Sequence, residues 1–376
     1  MPIYKMNGKK NGKQKYRVRI NYIDSYGQAK QIDRVAYGNE EAKQLERELN
    51  YQIKQQTPAQ RMSVKELFEE YKKAKKYEVR ESTYSKTDFI LSHYIIPELS
   101  NVKIDKLTVP ILQKWKHCIE EMDISIRTRK NIYSEFRTLL NWAVKMEYIP
   151  SNPLLKVGNF KAPMEIEKEM DYYTADEFKK FITAALTNAQ KASERGDCYQ
   201  WHYYVFFAVA FYTGMRKGEI HALTWNDYKD GYISITKSLT QKLKGGDRIT
   251  PTKNKSSVRT IQVPLPLKKI LDEHYDHCKE IDGFSNDLYI CGGLKPLRDT
   301  TLENANIKFA NEAGIKKIRI HDFRHSHASL LANEGINIQE VARRLGHSNV
   351  TITWQTYSHL YPKEEERAIA VLNKVI

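Results

Sequence analysis

The chain has 376 residues, 41% hydrophobic and 28% charged. That is enough for two or three domains with separate cores, and no run approaches the roughly 20 apolar residues of a membrane span. A formal charge of +15 and a pI near 9.3 favour a polyanionic partner, because each Lys or Arg that meets a phosphate releases condensed counterion. Nucleic acid leads; an anionic membrane surface trails, since no helix opposes a basic face to an apolar one.

The first ten residues carry neither an apolar signal core nor an amphipathic presequence, so a cytoplasmic location is expected. Nine Lys/Arg against two Asp/Glu in the first 35 residues mark a DNA-contacting arm. There, Ile3 to Met6, Tyr16 to Asp24 and Gln31 to Tyr37 read as three antiparallel strands, with Ser25-Tyr26-Gly27 as a turn. Arg17 and Arg19 are the candidate DNA contacts. From Asn39, an N-cap residue, early acids and leucines at helical spacing predict a helix over the sheet. A solvated edge strand protected by Lys would look similar.

After a polar linker at Gln55 to Pro58, Ser63 and Glu66 form a capping-box pattern. Apolar periodicity then recurs to Tyr148, with Pro97, Pro110 and Pro150 marking helix ends or first turns, and predicts a bundle of four or five helices. Arg127, Arg129 and Lys130 cluster where its last long helix starts, a place suited to phosphate or simply to solvent. A second linker runs from Ser151 to Glu167. Thr174 to Glu177 opens the next helix and Trp201 to Tyr212 is almost wholly apolar. Gly231 to Lys237 and Val258 to Val263 read as strands around a Gly245-Gly246 turn, with helices following to the end. Scattered Cys118, Cys198, Cys278 and Cys291 indicate neither disulfides nor a zinc ribbon.

The segment IRIHDFRHSHASLLANEGINIQEVARRLGHSNVTITWQTYSH, Ile318 to His359, carries the chemistry. His321 and Arg324 share a helix face, Gly335 and Gly346 suit helix stops, His347 follows at once, and Tyr357 comes ten residues later. This resembles the signature of the tyrosine recombinase, or phage integrase, family: an HxxR pair, an LGH turn and a C-terminal tyrosine. Upstream, FYTGMRKGEIHALTW resembles the family's first arginine box, giving Arg216, with Glu219 as a supporting carboxylate. PTKNKSSVRTIQVP is similar to its lysine hairpin, with Lys253 the better match and Lys255 the alternative.

The resemblance implies a multidomain, mainly α fold with small β-sheets. Its parts would be an arm-binding sheet plus helix (1–57), a helical SAM-like core-binding domain (62–158) and a mixed α+β catalytic domain (170–376). It implies a site-specific DNA recombinase that works without cofactor or metal, forms a homotetramer on core and arm sites, and uses an excision factor and a DNA-bending host protein.

The residue types suit that reaction. A phenol can store the energy of a phosphodiester in a covalent link. Fixed guanidinium groups, Arg216 and Arg324, meet the charge on the five-coordinate phosphorus, and His321 and His347 add hydrogen bonds or move protons. A lysine of lowered pKa protonates the departing 5′ oxygen. His325 and His327 are read as packing or hydrogen-bonded residues, because the i,i+4 pair His321 and His325 flanks Arg324 and has no HExxH context. Rival readings are a type IB topoisomerase, a DNA-binding regulator that has lost catalysis, and a metal-dependent nuclease. The apolar residues of Glu364 to Ile376 suggest a short helix that docks on a neighbouring protomer or on its own domain.

Overall fold

The computed structural model describes residues 3–23, 29–55, 62–161, 170–241, 243, 245–252, 255–361, 369 and 372–373. The chain divides into two compact units, 1–166 and 167–376. The Ser25 turn, most of the linker at Gln55 to Pro58, the middle of the second linker, Lys253 and most of the C-terminal segment lie outside the described residues.

In the first unit β1 (Ile3–Lys10), β2 (Lys13–Ile23) and β3 (Ala29–Tyr37) form one antiparallel sheet in that order. The first strand runs further than the sequence reading allowed. Asn11 and Gly12 both take positive φ, +48° and +76°, the two-residue turn whose twist matches a hairpin, so pairing begins at Lys10 and Lys13. Alternation sorts β2: Val18 and Ile20 are buried beneath Ala42 and Leu49 of α1 (Asn39–Gln55), which places Arg17 and Arg19 on the other face.

A second apolar cluster belongs to α2 (Val64–Lys75), α3 (Glu81–Tyr94), α4 (Ile96–Leu99), α5 (Val109–Glu121), α6 (Ile126–Lys145) and α7 (Leu154–Val157). The expected capping box starts α2: Glu66 N donates to Ser63 Oγ (3.2 Å) and Ser63 N donates to Glu66 Oε2 (2.6 Å). Trp115 and Phe136, packed edge to face at 5.0 Å, occupy the centre.

The second unit opens with α8 (Ala175–Ser193), again started by a capping box, from Thr174 and Glu177. Next comes α9 (Gln200–Thr213), buried on all sides from Trp201 to Phe211, as a helix without a polar stripe must be. It is followed by α10 (Lys217–His221), β4 (Tyr228–Lys229), β5 (Tyr232–Ile235), β6 (Lys237–Thr240), β7 (Arg248–Pro251) and β8 (Arg259–Gln262). The helices α11 (Leu265–Lys279), α12 (Asp299–Glu312), α13 (Asp322–Asn333), α14 (Ile338–Leu345) and α15 (Val350–Tyr357) complete it. The expected strand through Lys237 is divided between β5 and β6. The Gly245-Gly246 turn closes a separate β6–β7 hairpin, while β8 returns to pair with β5 in a β4-β5-β8 sheet. The result is mainly helical with small antiparallel sheets. Among the described residues no helix is long and apolar enough to cross a membrane.

Candidate active site

Helix α9 stops at Gly214, whose φ of +64° is left-handed and favours a residue without Cβ. Space requires the same choice, because a Cβ there would lie 2.6 Å from the His327 ring and 2.9 Å from Leu345. The stop frees the Gly214 carbonyl, and Arg324 on α13 donates to it through Nη1 at 2.7 Å. The Arg324 side chain is 4% exposed, and its Nη2 has no partner among the described residues. Burial, then the charge of Arg216, pushes this guanidinium down to about 9. It remains charged at neutral pH, with a donor left over for an anion.

Arg216 sits at the start of α10. It donates to Glu219 Oε1 at 2.9 Å and to the Gly346 carbonyl at 3.3 Å, and Glu219 Oε2 accepts its backbone N–H at 3.0 Å. Glu219 is 3% exposed. Burial raises its carboxyl, but hydrogen bonding and charge from Arg259, and then from Arg216, outweigh that and hold it below the ordinary range. Its carboxylate bonds two guanidinium groups, those of Arg216 and Arg259.

His321 immediately precedes α13, with its ring edge-on to His325 at 5.0 Å. His347 follows the Gly346 stop of α14 and is hydrogen-bonded through Nδ1 to Thr353 Oγ1 at 2.8 Å. Burial, then the Arg324 and Arg216 charges, depress His347 to about 4, so the ring is neutral near pH 7. Tyr357 closes α15 and is 1% exposed, packed with Ala328, Ala332, Val341 and Leu345. Its hydroxyl lies 2.5 Å from His325 Nδ1. Burial raises the phenol above its usual value, while the Arg324 charge pulls it back. His325 is pushed down to about 4, by burial and then by His321, so the neutral ring accepts and the phenol donates.

Arg324 thus lies within electrostatic reach of Arg216, His347, Tyr357 and His321, and Arg216 within reach of His347 and His321. Lys253 lies outside the described residues, and of Lys255 only the backbone is described, opening a single 3-10 turn. His325 proves to be the partner of the Tyr357 hydroxyl, and His327 bonds the Phe211 carbonyl at 2.8 Å. Arg259 is not among the residues that the motifs mark. Its signal was the alternation of VRTIQV, which turns Arg259 inward with Ile261 and Val263.

The proposed DNA contacts divide. Arg17 and Arg19 both reach Asp33 across the sheet, Arg17 Nε at 2.7 Å and Arg19 Nη2 at 3.1 Å, and stay partly exposed. At the start of α6, Arg127 and Lys130 are exposed. Arg129 instead turns back to the Met122 carbonyl at 2.8 Å.

Residues 172–364 match the model of the phage integrase family, and residues 63–117 match the phage integrase N-terminal SAM-like domain. The chain belongs to the phage integrase family and is a tyrosine-type site-specific recombinase that acts on DNA. It is 27% identical to the ICEBs1 integrase of Bacillus subtilis, over 97% of this chain and 98% of that protein. It is 28% identical to a tyrosine recombinase XerC-like protein of Caldanaerobacter subterraneus, over 98% of both. Two solved structures share the fold. The Tn1549 transposon integrase with circular intermediate DNA has TM-score 0.65 and 19% identity, covering 84% of this chain and 100% of that one. A lambda integrase tetramer bound to a Holliday junction has TM-score 0.54 and 19% identity, covering 93% and 96%.

Proposed function

We propose that Tyr357 is the nucleophile of this recombinase. Its oxygen bonds to one backbone phosphorus as the bond to the 5′ oxygen breaks, giving a 3′-phosphotyrosyl intermediate. Arg216 and Arg324 receive the non-bridging oxygens, with the spare Nη2 of Arg324 available to one of them; fixed donors of this kind need no reorganisation when charge builds up. His321 and His347 complete the cradle. His325 already accepts the Tyr357 hydrogen and is placed to take the proton. Lys253, or Lys255 two residues on, protonates the leaving 5′ oxygen. Attack by that 5′ hydroxyl, or by the equivalent one on another strand, reverses the step and conserves the bond energy.

The single observation that carries this reading is that α13 holds both the buried Arg324, with its unpartnered Nη2, and His325, which is hydrogen-bonded to the Tyr357 hydroxyl. The substrates are attachment sites of a phage or other mobile element, which the enzyme integrates and, with an excision factor, excises. Residues 1–57 bind arm sites, residues 62–158 and 170–376 clamp the core site, and four protomers assemble on two duplexes, aided by a DNA-bending host protein. The work is done in the bacterial cytoplasm, on the nucleoid. The names of the relatives and the Holliday-junction complex of lambda integrase support this larger picture. A nicked suicide substrate tests its core: the wild type traps a covalent adduct and Tyr357→Phe traps none. An adduct formed by Tyr357→Phe at the wild-type rate ends the assignment.

A further inference from the structure

All three guanidinium nitrogens of Arg259 are hydrogen-bonded inside the protein. Nε donates to the Arg344 carbonyl at 2.7 Å, Nη1 to the Ser257 carbonyl at 3.0 Å and to Glu219 Oε1 at 3.3 Å, and Nη2 to Glu219 Oε2 at 2.9 Å. Its side chain is 5% exposed and that of Glu219 is 3% exposed, whereas Arg216, on the other side of the same carboxylate, is 37% exposed. The arrangement is therefore Arg259, Glu219, Arg216, running from the interior outwards. The fit is close: a Cβ at Gly346 would come within 2.8 Å of Arg259 Nη1.

A buried carboxylate with one cationic partner cancels that partner's charge, and a carboxylate shared by two leaves a net positive charge on the assembly. Position decides where the surplus is useful. Arg259 is enclosed and has four of its five N–H groups bonded to protein oxygens, so the free charge falls to Arg216, the more exposed member. Arg259 also spans three segments: the turn of Lys255 to Ser257, the end of α14 just before Gly346, and, through Glu219, α10.

We propose that Arg259 is a positioning residue for strand cleavage: by satisfying the inner side of Glu219 it leaves Arg216 charged and oriented for the scissile phosphate. The inference rests on the reading of Arg216 as a phosphate receiver. It touches no substrate atom itself and acts through Glu219 and the Gly346 turn.

The test measures single-turnover adduct formation on a nicked core site, alongside DNA affinity and thermal melting. In Arg259→Met the unneutralised Glu219 pulls Arg216 away from the phosphate, and cleavage slows on the order of 100-fold while DNA affinity is held. Adding Glu219→Gln removes the unmatched charge and recovers on the order of tenfold, a coupling that a packing role would not produce. A methylphosphonate at the scissile position carries no charge for Arg216 to meet, so the Arg259→Met defect shrinks on it. Should Arg259→Met melt below the assay temperature, Arg259→Lys, which keeps the cation beside Glu219, is read instead and cleaves faster than Arg259→Gln. Full activity in Arg259→Met, a double variant no faster than the single one, or an undiminished defect on methylphosphonate overturns the proposal. Absence of any adduct with wild-type enzyme overturns the recombinase mechanism instead.

Discussion

Arg324 on α13 and Arg17 on β2 carry the same charge in opposite surroundings. Arg324 is 4% exposed, tied to a backbone carbonyl, and keeps one donor without a partner among the described residues. Arg17 lies on an open sheet face, and its bond to Asp33 is a surface ion pair that water and salt screen. Burial makes the first arginine a fixed reagent, whose field water does not screen. Exposure makes the second a movable counter-charge, which can exchange a carboxylate for a phosphate at little cost. On the mechanism proposed above, the first suits a transition state and the second an encounter.

If that contrast holds, effects should rank by burial. Arg324→Ala removes a desolvated donor and should slow adduct formation on the order of 100- to 1,000-fold in a single-turnover assay; a loss under tenfold breaks the contrast at its strong end. Gly214→Ala places a methyl group against the His327 ring at a left-handed φ, and should lower stability by about 1–3 kcal/mol, read by urea titration, with cleavage reduced as Arg324 loses its carbonyl.

The buried histidines sharpen the comparison through pH. Burial depresses His274 and His327 to about 3 in the folded chain, against about 6.5 when unfolded. Above about 6.5 both states hold these rings neutral and nothing is lost. As pH falls towards 3 only the unfolded chain gains protons, so stability declines by roughly 2–3 kcal/mol per ring by pH 4.5. Melting curves between pH 7 and 4.5 should show this, and His274→Gln, outside the proposed catalytic set, should flatten the slope. The smallest effect belongs to the sheet. Arg17→Ala with Arg19→Ala should leave the melting curve almost unmoved, yet lower the salt dependence of arm-site binding by about two units of slope, with cleavage of a core-only substrate unchanged.

The sequence showed the fold wherever local rules and burial agreed. Ser63 with Glu66 and Thr174 with Glu177 announced helix starts that the structure keeps, and the unbroken apolar run of α9 announced a central helix. It was less clear where pairing is non-local. That β8 would return to β5, leaving β6 and β7 as their own hairpin, depends on contacts that no window of ten residues contains. The site divides in the same way. Glycine stops and the spacing of His321, Arg324, His347 and Tyr357 were legible because short motifs encode them. The hydrogen bond from Tyr357 to His325 joins residues 32 apart, and that between Arg259 and Glu219 joins residues 40 apart; neither pair leaves a local trace beyond an inward-facing arginine on a strand.

Four of the side chains described above grip main-chain oxygens: Arg324 on Gly214, Arg216 on Gly346, Arg259 on Arg344 and Ser257, and His327 on Phe211. An oxygen of the main chain survives any replacement of the side chain beside it, so evolution can rewrite the neighbourhood without loosening these holds. What drift cannot spare is clearance, since a single added methyl group at either glycine would collide with a working side chain. The durable part of this machinery is therefore written in the path of the polypeptide, and its fragile part in two places where nothing is attached.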